Sequence, residues 1–325
     1  MIKEIFIGFS AHRLETIPFY EKLFAKSDII ILEDAPHPLF PSLLLGQLTP
    51  EQYVQSLETD FPRFLTAQYK LLQAVYKKGK KIVQIDPYIE RLLQMYQLLE
   101  EGKTPEEISQ LSLYQEIYAC EHEASGRLLD YYQATMGEFE GAIKAVQVFA
   151  QADAKRIALR DKMRAQSIAS YLENKAGRVF VEAGYIHLFL SRYLRQALPS
   201  EWQIKAGYLL AKPAREISQQ VLGMPLPHPF VPGDILTFWY IGGKKVNPQR
   251  ANLLAARVLI YNKLISTEEL EPTKENPFPH LLQEFKIKAM LRRLSYDDCA
   301  RLYELVKVLP PARVWQLVER ISTTT

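Results

Sequence analysis

The chain has 325 residues, 48% of them hydrophobic, and a formal net charge of +3, which is enough apolar material for one large domain plus a smaller one. The basic excess is too small to attract nucleic acid or an anionic membrane. No run approaches the roughly 20 apolar residues of a bilayer span, the N-terminus lacks a signal peptide's apolar core, and two distant cysteines, Cys120 and Cys299, argue against a disulfide framework or a thiolate metal site. The chain therefore reads as a soluble, cytoplasmic, globular protein.

Ile5-Phe6-Ile7 opens the chain and runs into Gly8-Phe9-Ser10-Ala11-His12. Leu14 to Lys26 reads as a helix and leads to Ile29-Ile30-Ile31-Leu32, which runs into Glu33-Asp34. Thr49-Pro50-Glu51-Gln52 carries a cap, a proline at the first helical position and a capping-box partner. Asp60 to Lys78 is a long amphipathic stretch before Ile82-Val83-Gln84-Ile85, which ends in Asp86. Thr104-Pro105-Glu106-Glu107 repeats the helix-start signal, and no convincing strand follows before about Lys175. Val179-Phe180-Val181 then runs into Glu182-Ala183-Gly184-Tyr185-Ile186-His187. These four runs are short, β-branched and apolar on both parities, the pattern of parallel strands covered on both faces. Ala206 to Leu210 is a fifth candidate.

Prolines 225, 227, 229 and 232 break helices, and Phe238-Trp239-Tyr240-Ile241 before Gly242-Gly243 reads as a strand closed by a turn. After Pro248 the chain is helical, with a start signal at Ser295-Tyr296-Asp297-Asp298, a break at Pro310-Pro311 and a frayed end at Thr323-Thr324-Thr325. The expected fold is α/β: a mostly parallel central sheet flanked by helices, with a long helical insertion and a small all-helical C-terminal region. Residues 1–242 form the α/β domain with its insertion at about 87–175. Residues 242–247 are a linker, and 247–325 the helical region.

Parallel strands share one carboxyl rim, where open α/β sheets bind ligands, and the residues at the ends of these runs are the candidate chemistry. His12 follows the first strand, with Gly8 behind it to let the backbone turn or approach a ligand; the plainer alternative is a surface-loop histidine. Glu33 ends four consecutive aliphatic residues and needs a cation, a metal or backbone donors there, or else caps a helix. His187 precedes a helix-like stretch from Leu188 to Leu198, whose electropositive N-terminus favours neutral imidazole. Arg160 and Arg164 fall on the apolar face of a helix over Ala154 to Lys175, with Ile157, Ile168, Tyr171 and Leu172. Buried arginines need anionic partners; Arg160 is expected to be buried and Arg164 to snorkel to the surface. Asp86 and Glu182 are further carboxylates at strand ends, Asp86 also a helix cap and Glu182 an ion-pair partner. Cys120-Glu121-His122-Glu123 has a metal cluster's composition but points around a helix, so it reads as a solvated face. His37 lies between prolines, His228 and His280 read as loop residues, and Lys286, Lys288, Arg292 and Arg293 as an exposed basic face.

These motifs resemble the superfamily of erythromycin esterases, ChaN-like proteins and TraB/TIKI proteins. Gly184 to His187 resembles its second Gly-x-x-His motif, the run into Glu33 its strand-end glutamate, and Arg160-Asp161-Lys162-Met163 its Arg-Asp-x-x-Met segment. Gly8 to His12 has one residue more than the first motif. The resemblance spans about residues 1–210 and implies a fold and a site position, in a group that mixes ester hydrolases, metal-dependent proteases and iron- or haem-associated proteins. Ala11-His12-Arg13, Glu15-Thr16 and Leu32-Glu33-Asp34 also resemble the opening of glycerophosphodiester phosphodiesterases. That family's following glycine and His-Asp pair are absent, and the long helical stretch from Pro87 to Lys175 breaks a barrel's alternation.

The expected function is hydrolysis of an ester or peptide bond in a small-molecule or peptide substrate. His12, Glu33, Arg160 and His187 would be the catalytic set, and Arg164, Asp86, Glu182 and Tyr185 would contact substrate. His12, Glu33 and His187 suit a divalent metal or a metal-free acid/base set equally. The alternative is a non-catalytic binding protein on the same scaffold, with Phe238–Tyr240 or the helical C-terminal region serving a partner or a homo-oligomer interface.

Overall fold

The computed structural model of the protein describes residues 2–243, 245–307 and 309–324. Lys244, inside the expected linker, and Thr325, at the expected frayed end, lie outside them. Five strands, β1 (Lys3–Ser10), β2 (Ile29–Leu32), β3 (Lys81–Gln84), β4 (Gly177–Gly184) and β5 (Gln203–Tyr208), form one sheet in the order β3-β2-β4-β1-β5. Every pairing is parallel, with Gly8 opposite Glu182, Ser10 opposite Gly184 and Ile31 opposite Val181. The fold is the α/β class that the doubly apolar runs predict: all four residues of β2 are buried, as a central strand between helical layers requires. Chain order and spatial order differ in a useful way. From β2 the chain goes outward to β3, and from neighbouring β4 it crosses β1 to β5. Connections leaving adjacent strands in opposite directions open a crevice at their carboxyl ends.

The helices start where the local signals place them. Thr49 closes a full capping box with Gln52 ahead of helix Pro50–Gln55, and Ser295 does so with Asp298 ahead of Tyr296–Val306. Asp86 caps Pro87–Glu100 through the Ile89 amide. The helix over Ala154–Lys175 extends further upstream, as Phe139–Leu172.

Two compact units result. The first comprises residues 1–108, 159–213 and 268–280, and holds the sheet; the second comprises 109–158, 214–267 and 281–325. The boundary expected at 242–247 falls inside the second unit. In the first unit, helices Ile17–Lys26 and Pro62–Tyr76 cover one face of the sheet, packing Tyr20, Phe24, Phe64 and Leu72 onto Ile30, Leu32 and Phe180. The end of helix Phe139–Leu172 and helix Leu190–Ala197 cover the other, packing Ala165, Ile168, Leu172, Leu190 and Leu194 onto Ile5, Ile7, Ile31 and Val181. Gly8 lies inside β1 rather than in a turn, and a Cβ there would meet the Phe180 ring at 2.6 Å. Its role is to seat that ring, which is fully buried against Tyr20 and Phe24.

In the second unit a separate apolar core joins Ile143, Val146, Leu236, Leu259, Leu302 and Val318. Phe238–Ile241, expected as a strand, is instead the end of helix Pro232–Ile241. Four consecutive apolar residues fit a buried helix as well as a strand. The deciding signal lies upstream, where Pro232 takes the first helical position and the Asp234 carboxylate accepts the Val231 amide at 2.9 Å. His280 likewise belongs to helix Pro279–Leu291 and is buried rather than in a loop. Lys288, placed on an exposed basic face, is half-buried and donates to the Phe230 carbonyl at 2.7 Å.

Candidate functional site

The crevice between β2 and β4 is filled by charge. Glu33 leaves the end of β2 with its side chain 5% exposed. A carboxylate that deep needs several partners, and Glu33 has them. Oε1 lies 2.9 Å from His187 Nε2 and 3.0 Å from Arg160 Nη2. Oε2 accepts the Gly184 amide and lies 3.6 Å from Arg164 Nη1. Burial alone would raise its pKa, but the His187 and Arg160 charges outweigh burial and hold it well below 4.5. Glu33 is therefore the hub of the site and caps no helix.

His187 follows β4 in a turn closed by its own amide on the Gly184 carbonyl. Its Nδ1 lies 2.6 Å from Asp161 Oδ1, so both ring nitrogens face carboxylates. Burial works against the charged ring, yet the Glu33 charge and the Asp161 hydrogen bond overcome it and lift the pKa to about 9. This corrects the neutral imidazole expected from a helix N-terminus. Helix Leu190–Ala197 starts three residues later, and dipole effects fade within a turn while two carboxylates touch the ring. Asp161 was not among the expected site residues. It adjoins Arg160 in the Arg-Asp-x-x-Met segment, which was the available signal; its carboxyl is fully buried, and burial raises its pKa.

Arg160 finds the anionic partners expected of it, and Arg164 does not snorkel. Arg160 keeps 21% of its side chain exposed and bridges Glu33 to Asp86, with Nη2 2.7 Å and Nε 2.8 Å from Asp86 Oδ2. Arg164, expected to snorkel, is 1% exposed. It donates to the Ile85 carbonyl at 3.0 Å and the Glu182 carbonyl at 2.6 Å. Two carbonyls, one just after β3 and one in β4 on the other side of β2, offer a planar fork what solvent would, so the stem stays inside. Asp86 combines the expected cap with an ion pair.

Glu182 faces the other side of the sheet. Its carboxylate accepts from Tyr20 Oη at 2.9 Å and from Gln68 Nε2 at 2.5 Å, and Tyr20 Oη lies 2.5 Å from Ser10 Oγ. It is a hydrogen-bond acceptor there rather than an arginine's partner. Asp34 joins this layer through Tyr69 at 3.4 Å and Gln84 at 3.5 Å. Burial and the Glu182 charge push its carboxyl up to about 6. Tyr185 contributes its backbone amide to the Ser10 carbonyl and packs its half-buried ring in the core beside the long helix.

His12 is half-buried, stacked on Phe64 at 5.3 Å and against the edge of Phe61 at 5.6 Å. Burial lowers its pKa, against the pull of Glu33 and Asp34 and with that of Arg160 and His187. These four groups are its electrostatic neighbours. Glu33, Arg160 and His187, from three remote segments, are tied by direct contacts, with Arg164 and Asp86 in the same network, whereas the contacts of His12 are with the Phe61 and Phe64 rings.

A divalent cation does not fit this donor set. Among the described residues no group of three or more His, Cys, Asp or Glu is arranged to hold a metal ion. A ligating imidazole needs a free lone pair, and each His187 nitrogen faces a carboxylate. Arg160 supplies the positive charge between Glu33 and Asp86. Cys120-Glu121-His122-Glu123 lies on helix Gln115–Ala134 with His122 and Glu123 exposed, as a solvated face should.

The chain is similar to an uncharacterised protein of Archaeoglobus fulgidus, with 26% identity over 298 residues that span 91% of this chain and 97% of that protein. No family model matches the chain, and no solved structure matches it. Among the described residues no helix is long and apolar enough to cross a membrane.

Proposed function

We propose that this protein is a metal-independent hydrolase that cleaves an ester or peptide bond in a small-molecule or peptide substrate at the β2/β4 crevice. One observation carries this reading: at the carboxyl ends of the strands Glu33 is held 2.9 Å from His187 and 3.0 Å from an Arg160 that keeps 21% of its side chain exposed. The shifts agree with it, His12 lying below the ordinary imidazole value and His187 up to about 9, the kind of split that acid/base assignments show. His12, neutral at pH 7, removes a proton from water as the hydroxide oxygen bonds to the acyl carbon. Arg160, held by Glu33 and Asp86 with 21% of its side chain exposed, stabilises the oxyanion that develops. The protonated His12 then gives its proton to the leaving alkoxide or amine as the C–O or C–N bond breaks. His187 and Asp161 keep Glu33 anionic and aligned. The superfamily resemblance supports the same site position. Cys120 and Cys299 are free thiols, which supports a reducing, cytoplasmic setting.

A second reading, a non-catalytic binding protein, is favoured by the closure of the network, since Glu33, Asp86 and His187 all have ionic partners inside the protein. Turnover separates the two. A panel of chromogenic esters and aminoacyl amides should include substrates that wild type hydrolyses, and His12→Ala should lower kcat by about 10²–10⁴-fold with the fold intact by circular dichroism. Full turnover in His12→Ala, or no turnover by wild type across the panel, overturns the hydrolase reading.

A further inference from the structure

The elements on either side of His12 in space and in sequence are bonded to a segment remote in the chain. Residues 268–280 carry no strand and, before Pro279, no helix, yet they cluster with the sheet-bearing unit. Helix Pro62–Tyr76 begins badly on its own. Its N-cap is Phe61, which has no side-chain acceptor, and Pro62 has no amide hydrogen, so Arg63 and Phe64 are left as unsatisfied donors. Glu269 satisfies both: Oε2 accepts the Arg63 amide at 2.9 Å and Oε1 the Phe64 amide at 2.8 Å. The carboxylate also sits at the positive end of the helix dipole. Phe64 is the fully buried ring on which His12 stacks, with planes 22° apart.

The far end of the same segment bonds to the turn that follows His12. Glu15, three residues after it, is 2% exposed and accepts the His280 amide at 3.1 Å. His280 Nε2 accepts the Leu270 amide at 2.8 Å, which ties the two ends of the strap together. Phe278 packs near Phe19 at 6.3 Å. One closed strap thus grips both the wall that His12 stacks on and the turn that carries it.

We propose that the strap Glu268–His280 positions His12, with Glu269 as the anchoring residue acting through Phe64; the catalytic meaning of this rests on the role proposed for His12. Glu269 touches no reacting atom and is a positioning residue. Carbethoxylation by diethyl pyrocarbonate, read by peptide mass spectrometry at each histidine, tests the placement without needing turnover. In Glu269→Ala the His12 rate should rise roughly fivefold, the population change that loss of a helix cap carries, while buried His187 keeps its wild-type rate. Glu269→Gln, which retains one amide acceptor, should fall between, and Glu271→Ala, which breaks only the exposed pair with Arg63, should match wild type. On a substrate found by the panel, kcat should fall in Glu269→Ala with KM nearly unchanged. An unaltered His12 rate in both Glu269 variants overturns the proposal, and so does a parallel rise at His12 and His187, which would mean general loosening. A wild type inert on every substrate would sink the hydrolase reading and leave this test standing.

Discussion

Replacing Glu33 with Gln removes the charge at the hub while keeping its shape, and the consequence is readable as a pH dependence. His187 has a pKa of about 9 in the folded protein against 6.5 for an unperturbed imidazole. At about 1.4 kcal/mol per tenfold, that difference is worth at most about 3 kcal/mol. A folded-state pKa raised above the unfolded one stabilises fully below pH 6.5 and fades as pH rises through about 9. Wild type should therefore lose about 3 kcal/mol between those limits from this group. In Glu33→Gln the strongest upward pull on His187 is gone, and that loss should shrink to about 1 kcal/mol or less. Arg160 also loses one of its two carboxylate partners, so the variant should sit about 3–5 kcal/mol below wild type at pH 6.5, the cost of breaking a buried pair. The gap should narrow by pH 9. Urea unfolding at both pH values measures the gap, and ¹⁵N NMR of the imidazoles checks that His187 is doubly protonated at pH 7.5 in wild type alone. Parallel stability–pH curves for the two proteins would refute the coupling of His187 to Glu33.

Two further outcomes follow from the packing. Gly8→Ala places a methyl 2.6–2.7 Å from the Phe180 ring, between two strands that cannot separate; overpacking should cost about 1–3 kcal/mol, seen as a lower urea midpoint with an unchanged m-value. Arg164→Lys keeps the charge but not the fork that binds two carbonyls. It should destabilise by about 2–4 kcal/mol, and a neutral result by thermal unfolding would mean that the carbonyls are satisfied some other way.

Much of the architecture was legible because it rests on short-range chemistry. Runs that are apolar on both parities can be satisfied only between two layers, so Ile29–Leu32 and Val179–Val181 announced a central parallel sheet. Thr49, Thr104 and Ser295 announced helix starts because a cap and its partner lie three residues apart. The rim residues followed, since a parallel sheet obliges His12, Glu33, Asp86 and His187 to emerge at one end. What the linear chain left open were choices made by remote partners. Arg160 and Arg164 share a helix face four residues apart. Which one stays near solvent depends on where the Ile85 and Glu182 carbonyls end. The protonation of His187 was decided by Glu33 and Asp161, which lie 154 and 26 positions away in the chain. Local sequence specifies which backbone groups need partners and which faces must be covered. Electrostatic state depends on distances of a few ångströms between groups that only the folded chain brings together.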